Sequence, residues 1–196
     1  MQTTRFLVFV ASLAMVSTTL KGADRVPESG DKAVEFKGID SNGNPVDFQP
    51  SKASKWTALI FLRGYPEYQC PICTRQVGEL IAKKDDLAAA NTNVILIYPG
   101  ATKDLSIKAQ EFMANKPLPN GFKFVVDQDY KIVNAYHLRW DAPRETAFPS
   151  TLVIDPSGFV RFAKVSKTHG DRSNVKEILE VVASKGAGVK KDPQKE

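Results

Sequence analysis

The sequence predicts an α/β domain with a mixed central sheet, helices on both faces and an N-terminal β-hairpin. Three observations predict it. Continuous apolar runs of strand length occur at residues 56–62 (WTALIFL) and 93–98 (NVILIY), the pattern of strands buried on both faces. Segments with helical spacing separate such runs. Turn signals mark both ends of the domain: Ser41, Asn42, Gly43 and Asn44 early, and Asp155, Pro156, Ser157 and Gly158 late.

Taken in order, residues 34–39 and Pro45–Phe48 flank the Asn-Gly turn as two short strands. Residues 56–62 follow as a buried strand. From 71 to 90, Ile72, Gln76, Val77, Leu80, Ile81, Leu87 and Ala88 recur at three-to-four spacing, which predicts one helix. Residues 93–98 form the next buried strand, and 105–114 a helix that stops before Pro117. A strand at 122–126 and a short helix at 130–136 come next. Strands at 151–154 and 159–165 enclose the late turn, and Ser173 or Asp171 can cap a final helix through Val182. Alternating strands and helices demand right-handed crossovers and a parallel centre, whereas the two hairpins are antiparallel. The result is the outline of a thioredoxin-like fold.

The chain has 196 residues, enough for one domain with appendages. Its 42% hydrophobic and 25% charged content excludes bulk disorder, collagen and coiled coil. A chain of this length buries about two-thirds of its unfolded surface and needs no disulfide scaffold. Residues 1–23 read as a signal peptide: Arg5 precedes an apolar run from Phe6 to Val16, and no acidic residue occurs before Asp24. The run is short of the roughly 20 residues that span a bilayer. Export to a periplasmic or extracellular space, without stable membrane insertion, is therefore expected. Residues 27–184 make the domain, and 185–196 a basic, disordered tail. The formal charge of +5 falls when Arg5 and Lys21 leave with the leader, and four of the remaining lysines lie in the tail. The core lacks a basic stripe, so nucleic-acid binding is not expected.

The chemistry lies where the first buried strand meets the first helix. Both cysteines of the protein, Cys70 and Cys73, sit there. Pro71 suits the first helical position, since its missing N–H is not needed there. That puts Cys70 at the cap and Cys73 in the first turn. Residues three apart share a helix face, with β-carbons about 5–6 Å apart, so a disulfide can form. The unpaired N–H groups and positive dipole end favour a thiolate, and thiols so placed fall from about 8.5 to between roughly 3.5 and 7.5. A structural bridge closing so short a loop would contribute only about 2 kcal/mol. A zinc site needs four ligands, and only His137 and His169 could join the cysteines. Two inert thiols fit poorly with an oxidising compartment. A redox-active pair is the reading, with no cofactor and no metal: neither G-x-G-x-x-G nor a P-loop occurs.

The stretch from Val34 to Val165 resembles the AhpC/TSA peroxiredoxin-like branch of the thioredoxin superfamily. The resemblance rests on the early hairpin, on the strand ending in Phe61, Leu62, Arg63 and Gly64, and on the run from Pro149 to Gly158 (PSTLVIDPSG). It implies a thiol oxidoreductase with antioxidant activity on peroxides, or a thioredoxin-type reductase of protein disulfides. Either implies a thiol electron-donor protein as partner. The first style has a P-x-x-x-T-x-x-C motif, which Pro66, Cys70 and Cys73 match with cysteine in place of threonine. Cys73 would then attack peroxide and Cys70 would resolve the sulfenic acid. In the second style Cys70 attacks and Cys73 resolves the mixed disulfide. The resemblance also implies a cis-proline at Pro149 facing the cysteines. Peroxiredoxins have arginine near that point, a role for which Arg63, Arg139 and Arg144 are candidates. Copper-delivery relatives pair two cysteines with a distant histidine, here His137, so a non-enzymatic copper-handling module is the alternative of another class. Tyr65, Tyr68 and Trp140 are candidates to line a groove for a peptide or thiol partner.

Overall fold

The computed structural model describes residues 25–185, so the predicted leader at 1–23 and nearly all of the predicted tail lie outside the described residues. The elements in chain order are β1 (Phe36–Ile39), β2 (Pro45–Phe48), β3 (Trp56–Phe61), α1 (Pro71–Ala82), α2 (Lys84–Ala89) and β4 (Thr92–Gly100). Then come α3 (Leu105–Met113), β5 (Phe122–Gln128), α4 (Lys131–Ala135), β6 (Ser150–Ile154), β7 (Val160–Val165) and α5 (Val175–Ala183). The strands form one seven-stranded sheet in the order β2-β1-β5-β4-β3-β6-β7. Its centre is parallel, β3 beside β4 and β4 beside β5. The flanks are antiparallel, β1 on β2 and β5 at one side, β6 on β3 and β7 at the other. The mixed sheet and the N-terminal hairpin agree with the sequence.

The alternation of side chains along each strand explains the continuous apolar runs. Ala58, Ile60 and Leu62 belong to one core, which also takes buried residues of α1, α2, α3 and α5. Leu59 and Phe61 point into the other, with Ile132 and Val133 of α4 and the loop residue Leu138. Among the described residues four α-helices pack on one face and the short α4 on the other.

Two elements differ from the sequence reading. The helix predicted at 71–90 breaks at Lys83, whose backbone leaves the helical region at φ −103° and ψ 19°. Asp85 and Asp86 then open α2, where acidic residues suit the positive end of a helix. The apolar stripe passes through the break, since Leu80 and Leu87 are two turns apart, so periodicity alone does not reveal it. The final helix is capped by Asn174, not by Ser173 or Asp171. Asn174 Oδ1 accepts from the Glu177 amide at 3.0 Å, and the Glu177 carboxylate accepts from the Asn174 amide at 2.8 Å. Only Asn174 has a glutamate at the third helical position to close this capping box.

The late turn forms as read. Asp155 Oδ1 accepts from the Ser157 and Phe159 amides at 2.9 and 3.0 Å, and Gly158 supplies the left-handed residue at φ 86°.

Candidate active site

The site is built at the C-terminal end of β3. Leu62 and Tyr65 continue its pairing, their amides donating to Ile97 and Pro99 of β4, both at 2.9 Å. Gly64 between them has φ 71° and faces the Pro99 carbonyl, where a β-carbon would collide with backbone. On the approach to α1, Gln69 is pinned from both sides. Its Oε1 accepts from Tyr98 Oη at 2.8 Å, and its Nε2 donates to the Lys108 carbonyl of α3 at 2.9 Å.

Cys70 is the N-cap of α1 and Pro71 its first residue, as the sequence predicted. The Cys73 amide donates to Cys70 Sγ at 3.4 Å, so the sulfur occupies the place of a capping oxygen. Both thiols are free and buried, with relative exposures of 2% and 0%. Their acidities are driven apart. The Cys73 thiol donating to the Cys70 sulfur, helped by the Cys73 amide and the charge of Arg172, outweighs burial and lowers Cys70 to about 5. Burial, reinforced by that same hydrogen bond, pushes Cys73 well above the ordinary thiol range. The arrangement favours the anion on Cys70 and the proton on Cys73.

The start of β6 and the loop between β7 and α5 lie beside this helix start. In β6, Ser150 pairs with Phe61 of β3, so Pro149 lies at the sheet end from which the cysteine loop leaves. Its bond to Phe148 is trans: the described residues contain no cis peptide, unlike the expectation for Pro149. Trans is the lower-energy isomer for an X–Pro bond. The chain on either side is paired, Phe148 donating to Leu138 and Pro149 accepting from Ser166, both at 2.9 Å.

Of the three candidate arginines, Arg63 lies beside the loop but is turned away from the sulfurs. It is buried and forms an ion pair with Glu145 at 2.9 Å, donates to the Arg144 carbonyl at 2.7 Å and bonds the Tyr68 hydroxyl. Arg139 stacks 4.0 Å from the Tyr130 ring centroid and donates to the Glu145 carbonyl at 3.0 Å. Arg144 is exposed, and its backbone carbonyl rather than its side chain is engaged.

The guanidinium at the sulfur belongs to a residue the sequence reading did not single out, Arg172. Its Nη2 is 4.0 Å from Cys70 Sγ, its Nη1 donates to Gln76 Oε1 at 2.8 Å and its Nε to the His169 carbonyl at 2.9 Å. Cys70 and Arg172 are 102 positions apart, beyond the reach of any local pattern. Gln76 was legible in part, since it follows Cys73 by three and shares its helix face.

His169 contacts Glu145 through Nε2 at 2.9 Å, and His137 is exposed with left-handed backbone at φ 53°. Among the described residues no group of three or more His, Cys, Asp or Glu side chains could hold a metal ion. Trp140 stacks on Phe148 with centroids 4.7 Å apart, and Tyr68 is 45% exposed. No helix among the described residues is long and apolar enough to cross a membrane.

The AhpC/TSA family profile matches residues 29–163. No curated protein sequence matches the chain. Among solved structures, the chain is similar to the mitochondrial 2-Cys peroxiredoxin of Plasmodium falciparum, at 21% identity and a TM-score of 0.58, covering 78% of this chain and 90% of that one. It is similar to the peroxidoxin BcpB of Mycobacterium tuberculosis at 16% identity and a TM-score of 0.63, covering 80% and 97%. A secreted disulfide oxidoreductase of Mycobacterium tuberculosis shares 20% identity with a TM-score of 0.55, covering 76% and 95%. At these identities the likeness to the solved structures concerns the fold.

Proposed function

The chain belongs to the AhpC/TSA family of thiol oxidoreductases, and on that premise we propose that Cys70 is its attacking sulfur, Cys73 its resolving sulfur and a protein disulfide its substrate. One observation carries the reading. Cys70 Sγ sits at the N-cap of α1, accepts from the Cys73 amide at 3.4 Å and has Arg172 Nη2 at 4.0 Å, while Cys73 is fully buried; hydrogen bonding from Cys73 lowers the Cys70 thiol to about 5. Thiolate is the nucleophilic form, so at neutral pH the first cysteine is armed and the second is held in reserve.

The Cys70 thiolate attacks one sulfur of the substrate disulfide. A new S–S bond forms, the substrate S–S bond breaks, and the second substrate sulfur leaves as a thiolate. Cys70 is then neutral and no longer accepts a strong hydrogen bond from Cys73. Cys73 loses its proton to the departing thiolate and attacks Cys70 Sγ; the mixed-disulfide S–S bond breaks and the first substrate sulfur leaves as a thiolate that takes a proton from water. The products are the Cys70–Cys73 disulfide and a substrate dithiol, with two electrons transferred. A thiol protein returns the pair to the reduced state by the reverse exchange. Export by the leader at 1–23 is part of this proposal, because a disulfide substrate persists in an oxidising compartment.

A second reading has its own support. The spacing of Pro66, Cys70 and Cys73 matches the peroxidatic motif on Cys73, with peroxide as oxidant. There sulfur attacks oxygen, the O–O bond breaks with release of an alcohol or water, and the other thiol converts the sulfenic acid to a disulfide with loss of a further water. The lowered acidity of the buried Cys73 thiol weighs against it as the attacking group.

Single variants separate the readings. Cys73→Ser is expected to trap mixed disulfides through Cys70, and Cys70→Ser to abolish reduction of insulin disulfides. Peroxide consumption that needs Cys73 and survives in Cys70→Ser would overturn the assignment. Stoichiometric copper binding with neither activity would favour the metal-handling alternative.

A further inference from the structure

We propose that Arg172 is a further catalytic residue: its guanidinium, carried to the Cys70 sulfur by the loop between β7 and α5, pairs with the attacking thiolate and holds it for exchange. The proposal rests on Cys70 being the attacking sulfur.

Three nitrogens of the guanidinium have distinct tasks. Nε donates to the His169 carbonyl at 2.9 Å and Nη1 to Gln76 Oε1 at 2.8 Å, which fixes the plane of the group. The remaining nitrogen, Nη2, faces Cys70 Sγ at 4.0 Å. The clamp is built on the helix it serves. Gln76 lies on α1, at whose N-cap Cys70 sits, so sulfur and guanidinium keep a constant relation even if the outer loop shifts. The loop itself is tied down at both ends. The Ser166 amide donates to the Pro149 carbonyl at 2.9 Å, and the Val175 amide reaches Glu79 Oε1 on α1 at 3.4 Å.

The charges around the sulfur pair single out Arg172. From the end of β3 comes Arg63, but its charge is matched by Glu145 at 2.9 Å. From α3 comes Lys108, which is paired with Glu111 at 3.0 Å. From β4 comes Tyr98, whose phenol is made less acidic by burial and stays neutral. From α1 come Cys73, buried and protonated, and the uncharged Gln76. From the β7–α5 loop come His169, whose ring contacts Glu145, and Arg172 itself. Among the described residues Arg172 forms no salt bridge with a carboxylate, so the Cys70 thiolate is the anion its charge is positioned to meet. A guanidinium cannot be deprotonated in the working range of the enzyme, so its assistance does not depend on pH.

The test is the pH dependence of Cys70 alkylation by iodoacetamide in the full, reduced chain, read at Cys70 by peptide mass spectrometry. The wild-type rate is expected to rise through a midpoint near 5, and Arg172→Gln to move that midpoint up by about one unit or more. Arg172→Lys should restore part of the shift. Gln76→Leu, which keeps the charge but frees its plane, should move the midpoint in the same direction by less. A merely structural role would lower the melting temperature without moving the midpoint. An unchanged midpoint in Arg172→Gln, with the fold intact by circular dichroism, would overturn the inference and leave the Cys70 reading standing. A wild-type midpoint in the ordinary thiol range, about 8–9, would instead overturn the Cys70 reading. If Arg172→Gln does not fold, unchanged midpoints in Arg172→Lys and Gln76→Leu overturn the inference.

Discussion

Arg63 and Glu145 form a buried two-pronged ion pair, Nε to Oε2 at 2.9 Å and Nη2 to Oε1 at 3.1 Å, across 82 positions of sequence. The pair does two things for the site. It satisfies the arginine next to the cysteine loop, so that cation does not compete for the thiolate. It also joins three segments, because Glu145 Oε1 additionally contacts His169 Nε2 at 2.9 Å on the loop that carries Arg172. Replacing one partner of a buried pair leaves the other charge without compensation, which costs about 3–5 kcal/mol. Glu145→Ala is therefore expected to lose stability of that order in urea unfolding. A loss below about 1 kcal/mol would mean that water reaches Arg63 freely.

Reduction state and pH are linked with a definite sign. Cys70 is lowered to about 5 in the folded chain, against about 8.5 for an unfolded thiol. Between those values the unfolded chain binds a proton that the folded chain does not, so stability rises with pH. The contribution is complete above about 8.5 and is lost as pH falls through 5. Cys73 is raised, so above about 8.5 the folded chain keeps a proton that the unfolded chain releases, and stability then falls. Urea midpoints of the reduced protein should peak near the ordinary thiol range. The oxidised protein, with neither thiol, should lack this pattern, and equal curves for both forms would refute it.

Gly64 allows the cysteine loop to turn against β4. An alanine there adds a β-carbon directed at the Pro99 carbonyl while holding φ at 71°. Left-handed strain alone costs about 1–3 kcal/mol, and the collision adds to it. Gly64→Ala should lower the melting temperature and displace Tyr65, slowing insulin reduction. Full activity with unchanged melting would show that the loop relaxes at no cost.

Asn174 caps α5 through the reciprocal bonds to Glu177 at 3.0 and 2.8 Å. Asn174→Ala should cost about 1 kcal/mol, and Asn174→Asp much less. Chemical denaturation of the two variants side by side checks both values. Equal losses would show that the amide, rather than a capping oxygen, matters.

The fold was legible wherever local pattern and burial agree. Runs such as 56–62 and 93–98 read as strands because each buries both faces, and the structure divides Ile60 and Phe61 between two cores accordingly. The Asn-Gly and Asp-Pro-Ser-Gly turns read correctly because their geometry depends on adjacent residues. The break at Lys83 was hidden because the apolar stripe continues across it. The Asn174 cap was missed although its signal, glutamate three residues on, is local.

What the sequence by itself determined is the placement of the cysteine pair. Cys70, Pro71 and Cys73 at a strand–helix junction are neighbours along the chain, so their juxtaposition follows from helix geometry alone. The largest influence on how their acidities divide, the Cys73 thiol donating to the Cys70 sulfur, is equally local. Tertiary structure adds the depth of Cys73 in the core and a guanidinium 102 positions away from Cys70. It also decided which arginine faces the sulfur, because Arg63 is adjacent in sequence but neutralised by Glu145. Burial and electrostatics act through space, and no spacing rule along one strand or helix contains them.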